Sequence, residues 1–167
     1  MKPQHLAAAF AFALAGGAAL VHSKPPPTPP AVLPMSLALK AAKAALTACV
    51  AEGWTATVTV TDREGVPRVI LLSDDTGELS VITSRRKAYT SAALGISTAQ
   101  LAKNLAASGF DPATVDAELI AFPGGLPIVR RGVVIGAIGV GGADRDAIDG
   151  NERCAQAGLD SIRKELI

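Results

Sequence analysis

From residue 54 to residue 62 apolar and polar side chains alternate without a break. Trp54, Ala56, Val58 and Val60 fall on one side, Thr55, Thr57, Thr59 and Thr61 on the other. That period of two predicts a half-buried strand, apolar face inward and threonine face outward. Asp62-Arg63-Glu64-Gly65 turns the chain, and residues 66–73 run back as a hairpin partner. Upstream, Ser36 is read as the N-cap of a helix over 37–52 that stops at Gly53. Its apolar face is mostly alanine: Ala38, Ala41, Ala45 and Ala48. Downstream, Asp74-Asp75-Thr76-Gly77 breaks the pattern. A helix is expected over 78–94, ending near Gly95, although 79–83 also alternates like a strand. Ser97 or Thr98 caps a further helix through Ala107, and Asp111-Pro112 opens a short helical turn. Strand signals return at 119–122, 126–130 and 133–140, with a bend at Pro123-Gly124-Gly125 and a tight turn at Arg131-Gly132. A loop over 141–150 leads to a last helix, capped by Asn151 and running to about Leu166. Strands joined by short turns imply an antiparallel sheet, and helices packed on it give a single α+β domain.

Composition narrows the function. Of 167 residues, 49% are apolar, 19% charged and 4% aromatic. Lys+Arg number 16 against 15 Asp+Glu, so no broad basic field exists and nucleic acid is excluded as a partner. Abundant alanine and glycine predict helices packed closely on small side chains.

Residues 1–23 contain no Asp or Glu. Lys2 precedes an apolar run over 6–21, short of the roughly 20 residues of a membrane span and suited to a signal peptide. Val21-His22-Ser23 offers a cleavage site. The expectation is export to a periplasm or the extracellular space, with no membrane attachment after cleavage. Both histidines, His5 and His22, leave with that segment. The mature chain is then expected to hold no Ser-His-Asp triad, zinc site or His-ligated haem. Residues 24–34 carry Pro25, Pro26, Pro27, Pro29, Pro30 and Pro34 and read as a stiff polyproline spacer. The folded domain is expected over 35–167.

Several segments then stand in a telling order: Lys87-Ala88-Tyr89-Thr90-Ser91-Ala92, Ser97-Thr98-Ala99-Gln100-Leu101, Gly124-Gly125-Leu126-Pro127-Ile128, Ile135-Gly136-Ala137-Ile138-Gly139-Val140 and Cys154-Ala155-Gln156-Ala157-Gly158-Leu159. Together they resemble the GlcG/HbpS family of haem-binding proteins, which includes the C-terminal domain of PduO-type proteins. The resemblance covers roughly residues 35–164. It implies a profilin-like fold with a five-stranded antiparallel sheet, homo-oligomers, and haem or another flat tetrapyrrole as ligand. One departure is visible: the family commonly reads Gly-Val-Ser-Gly-Ala where this chain has Gly139-Val140-Gly141-Gly142-Ala143, so a hydroxyl is missing at Gly141.

The candidate cofactor-binding residues are Arg85, Arg86, Lys87, Tyr89 and Thr90. The three cations suit haem propionates or another carboxylate; the plainer reading is a solvated helix face. On a helix Arg86 shares a face with Thr90, and Arg85 with Tyr89. Tyr89 is the chain's single tyrosine. A tyrosinate ligates iron in catalase, but a rim residue with a hydrogen-bonded hydroxyl is favoured. Thr90 is a weaker oxygen ligand. Met35 is read as a hydrophobic staple rather than a haem ligand. Cys49 and Cys154 are read either as a disulfide joining the first and last helices or, preferably, as two buried thiols. Asp144, Asp146, Asp149 and Glu152 do not match a calcium loop and suit a helix N-terminus. Gly124-Gly125 lacks the setting of a phosphate loop, leaving tight turning as the default or a close backbone approach to a partner subunit or a flat ligand. The leading expectation is an exported, oligomeric haem-binding protein. Its rivals are an accessory protein or enzyme of small organic acid metabolism and a ligand-free structural oligomer.

Overall fold

A computed structural model of the chain describes residues 32–106, 108–143 and 149–167. The expected signal peptide, most of the proline spacer, and Asp144 and Asp146 lie outside the described residues. Four α-helices and four strands follow in the order α1 (Met35–Ala51), β1 (Thr57–Asp62), β2 (Pro67–Leu72), α2 (Glu78–Leu94), α3 (Thr98–Leu105), β3 (Gly125–Arg130), β4 (Val133–Gly141) and α4 (Gly150–Ile162). Among the described residues the sheet has four strands, ordered β2-β1-β4-β3, with antiparallel neighbours. The strand expected over 119–122 does not form. That segment is held by side chains of α2 and joins no ladder.

Helices α1 and α4 cover one face of the sheet and α2 the other. The first face carries the main core. Ala38, Ala41, Ala42 and Ala45 of α1 meet Val58, Val60, Ile138 and Val140, all fully buried. Small residues set the spacing: a Cβ on Gly158 of α4 would lie 2.7 Å from the Ala41 carbonyl oxygen and 3.0 Å from Ala45 Cβ. Cys49 and Cys154 form a disulfide across α1 and α4, with Cα atoms 5.5 Å apart. The favoured reading of two free thiols is therefore corrected. Packing on alanine and glycine brings the two helices near enough for a bridge.

The threonine face of β1 is not exposed, which corrects the half-buried reading. Thr57, Thr59 and Thr61 are fully buried beneath α2. Thr57 shares a hydrogen bond with Ser80 at 2.8 Å, and Thr59 with Ser84 at 2.9 Å. Glycines on β4 let the helix settle on the strand. A Cβ on Gly139 would sit 2.5 Å from Ala88 N, and one on Gly141 would sit 2.5 Å from Thr83 Oγ1. Gly141 thus lies directly under α2.

Three caps differ from expectation. Pro34, not Ser36, is the N-cap of α1, because the amides of Leu37 and Ala38 both donate to its carbonyl at 3.0 Å. Asp149 precedes α4, while Asn151 is buried inside it and accepts from Ala143 N at 2.9 Å. Helix α4 ends at Ile162 and tightens into a 3-10 turn over Arg163–Glu165. Ser97 does cap α3, and Arg131-Gly132, both at positive φ, close the β3–β4 hairpin.

Candidate functional site

The N-terminal half of α2 and the segment 119–122 enclose a cavity of about 360 Å³. Thr76 and Gly77 of the preceding turn form its base, and Leu79, Ser80, Thr83 and Lys87 of α2 form one wall. Ile120, Phe122, Thr55 and Gly142 complete the lining. Helical spacing puts Ser80, Thr83 and Lys87 on one stripe. Lys87 is 3% exposed, and its Nζ donates to the Val140 carbonyl at 3.0 Å. The cavity is therefore lined by hydroxyls, one buried ammonium, and two apolar side chains at its mouth, Leu79 and Phe122.

The five predicted binding residues separate. Lys87 lines this cavity. The other four turn to the segment 116–120. Arg85 pairs with Glu118 at 2.6 Å. The Arg86 guanidinium donates to the carbonyls of Ala117, Glu118 and Leu119 at 2.5, 3.3 and 2.9 Å. Thr90 is fully buried; its hydroxyl donates to the Arg86 carbonyl at 2.8 Å and accepts from Ile120 N at 3.0 Å. Tyr89 donates to Asp116 Oδ2 at 2.7 Å. That hydrogen bond, with burial and the charges of Asp116 and Glu118, holds the phenol above its ordinary value of 10.0. A ligating tyrosinate needs the opposite shift. The same bond, with the Glu118 amide, pulls Asp116 below 3.8.

Arg86 also borders a second groove of about 550 Å³ beneath α3, so the neighbours Arg86 and Lys87 face different hollows with Ile120 and Phe122 between them. The paired glycines serve the same region. A Cβ on Gly125 would lie 2.5 Å from the Lys87 carbonyl oxygen and 2.8 Å from Ser91 Oγ. The approach expected there is to a partner subunit or a flat ligand; among the described residues Gly125 lies instead against α2 of the same chain.

A family model described as haem degrading protein HbpS-like matches residues 33–160. The chain belongs to the HbpS-like family. HbpS is 34% identical to it, over 80% of this chain and 92% of HbpS, with a TM-score of 0.72. A double mutant of Streptomyces reticuli HbpS is 31% identical over 86% of this chain and 96% of its own, with a TM-score of 0.72. A PduOC complex with haem shares the fold at 21% identity, covering 79% of this chain and 96% of its own, with a TM-score of 0.72. No curated protein matches the chain significantly.

Of the five candidate residues of this HbpS-like chain, Lys87 alone lines the cavity beside α2. Ser80, Thr83 and Leu79 carried no recognisable chemistry, and Ile120 and Phe122 were read as strand. The one available signal was the i, i+3, i+7 spacing of Ser80, Thr83 and Lys87 on a helix without an apolar stripe.

Proposed function

We propose that this HbpS-like protein is exported, self-associates and binds haem or a related tetrapyrrole, with the segment Arg85, Arg86, Lys87, Tyr89 and Thr90 at its binding region. The family match over nearly the whole described domain carries this reading. Among the described residues the cation of Lys87 is the one lining group that suits a carboxylate of such a ligand, since the Ser80 and Thr83 hydroxyls already donate to the Gly77 and Ser80 carbonyls. The donor set fits the iron poorly, since the Tyr89 and Thr90 hydroxyls are engaged elsewhere. In this division Lys87 meets the ligand, and Arg85, Arg86, Tyr89 and Thr90 hold the segment 116–120.

The Cys49–Cys154 disulfide supports export, because such bridges persist in oxidising compartments. Ile70 and Leu72 support self-association. They share the threonine face through their pairing with Thr59 and Thr57, yet stay 39% and 48% exposed on the outer strand β2. The profilin-like label of the family is proposed on the same footing. Titrating haemin into the purified mature protein tests the reading. A new Soret band saturating at a stoichiometric ratio is expected, and its absence removes haem as the ligand.

A further inference from the structure

We infer that the outer edge of β2 pairs with the same strand of a second copy, antiparallel about a two-fold axis, so that two sheets join into one. The inference rests on the self-association reading above and names its seam. The two edges of the sheet differ. On β3 the Gly124 carbonyl accepts from Val140 N, so alternation turns residues 124 and 126 toward β4 and residues 125 and 127 outward. That edge is closed to a further strand: the Gly125 amide already donates to Thr98 Oγ1, and Pro127 has no amide hydrogen. On β2 the Ser73 amide donates to the Ala56 carbonyl, so residues 69, 71 and 73 turn toward β1 and residues 70 and 72 outward. The backbone groups of Ile70 and Leu72 on that side have no partner among the described residues. An open edge with apolar side chains is a template for another strand. A second copy fits it because the edge complements itself. A two-fold axis must match outward residues with outward residues. Centred on Leu71, it sets Ile70 opposite Leu72 of the second copy and brings Arg68 level with Asp74, each pairing made twice. Both charged side chains are exposed. Arg68 reaches Asp62 of its own chain only at 3.7 Å, too far for a hydrogen bond, and Asp74 makes no ion pair among the described residues. An axis centred on Ile70 would instead leave Arg68 opposite Leu72.

Sedimentation of the purified mature chain over a concentration series, joined to hydrogen exchange at the Ile70 and Leu72 amides, tests the pairing. The unaltered chain should associate, with both amides slow in the assembled protein and fast after dilution to monomer. Leu72→Lys sets a cation within the seam and should weaken association about tenfold or more. Arg68→Asp and Asp74→Arg, each alone, oppose like charges at two places and should weaken it about tenfold, whereas the two together restore opposite charges and should recover most of the loss. All three side chains are exposed, and a thermal melt of each variant confirms that it folds. Association of unchanged strength in every variant overturns the pairing and leaves self-association through another surface standing. A chain that stays monomeric at every concentration removes both. Slow exchange at Ile70 and Leu72 in a monomer means that another segment of the same chain covers the edge, and overturns the pairing too.

Discussion

The two faces of the sheet are built from different chemistry. On the α1/α4 face, alanines, valines and isoleucines exclude water and a disulfide pins the helices. On the α2 face, threonine meets serine, glycine meets helix backbone, and a lysine is buried whole. The apolar face depends on area and tolerates small shifts, as burial energy is non-directional. The hydroxyl face depends on direction where Thr57 and Thr59 bond Ser80 and Ser84, while Thr61 Oγ1 and Ser91 Oγ are buried with no hydrogen-bond partner among the described residues. Fixed geometry is also what a binding wall needs, and the cavity opens on that face.

Removing the disulfide should be the heaviest blow, and it falls on the apolar face. A Cys49→Ser, Cys154→Ser double variant releases a link spanning 105 residues and should lose about 3–4 kcal/mol in urea unfolding. Amide exchange should then rise in α1 and α4 before α2. Gly139→Ala attacks the other face. Its new methyl meets the Ser84 carbonyl oxygen and the Ala88 amide, so ~2–3 kcal/mol should be lost, with α2 displaced. Equal stability in this variant would show that α2 is free to lift. Thr59→Val removes one directed bond and should cost about 1 kcal/mol, while Thr59→Val with Ser84→Ala should recover most of it. A double variant no better than the single would mean that shape, not hydrogen bonding, governs this face.

The smallest expected effect concerns acid. Asp116 is held below its ordinary value of 3.8, chiefly by the Tyr89 hydroxyl. A carboxyl lowered in the folded state stabilises the fold above its unfolded value and loses that contribution as pH falls through the lowered one. Tyr89→Phe should therefore lower stability at pH 7, where that contribution is fully present, and change it little well below pH ~4, so that the acid limb flattens. An acid limb as steep as that of the unaltered protein would show that the bond does not hold the 116–120 segment.

Much of the fold was legible because its elements carry local signals. Helix α2 was bounded by Gly77 and Gly95, and the hairpin at Arg131-Gly132 by turn chemistry. The threonine face misled for a physical reason. Alternation separates apolar from polar, not buried from exposed, and a polar helix stripe of Ser80, Ser84 and Ser91 can cover threonines as well as leucines can. The segment 119–122 misled because apolar residues suit a cavity wall as well as a strand. The cavity was half legible: the basic triplet lies on the helix that lines it, but successive residues of a helix point about 100° apart. Arg86 and Lys87 therefore serve different hollows. The disulfide depended on α1 and α4 touching, which spacing alone does not encode.

Leu33, still within the expected spacer, is 2% exposed and sits over Gly136 at the middle of the sheet. Leu33 is thus packed against β4 as well as joined to the core that α1 helps to form. A pull on the spacer would load the centre of the sheet, and a recombinant chain trimmed at residue 35 would leave an open notch above Gly136.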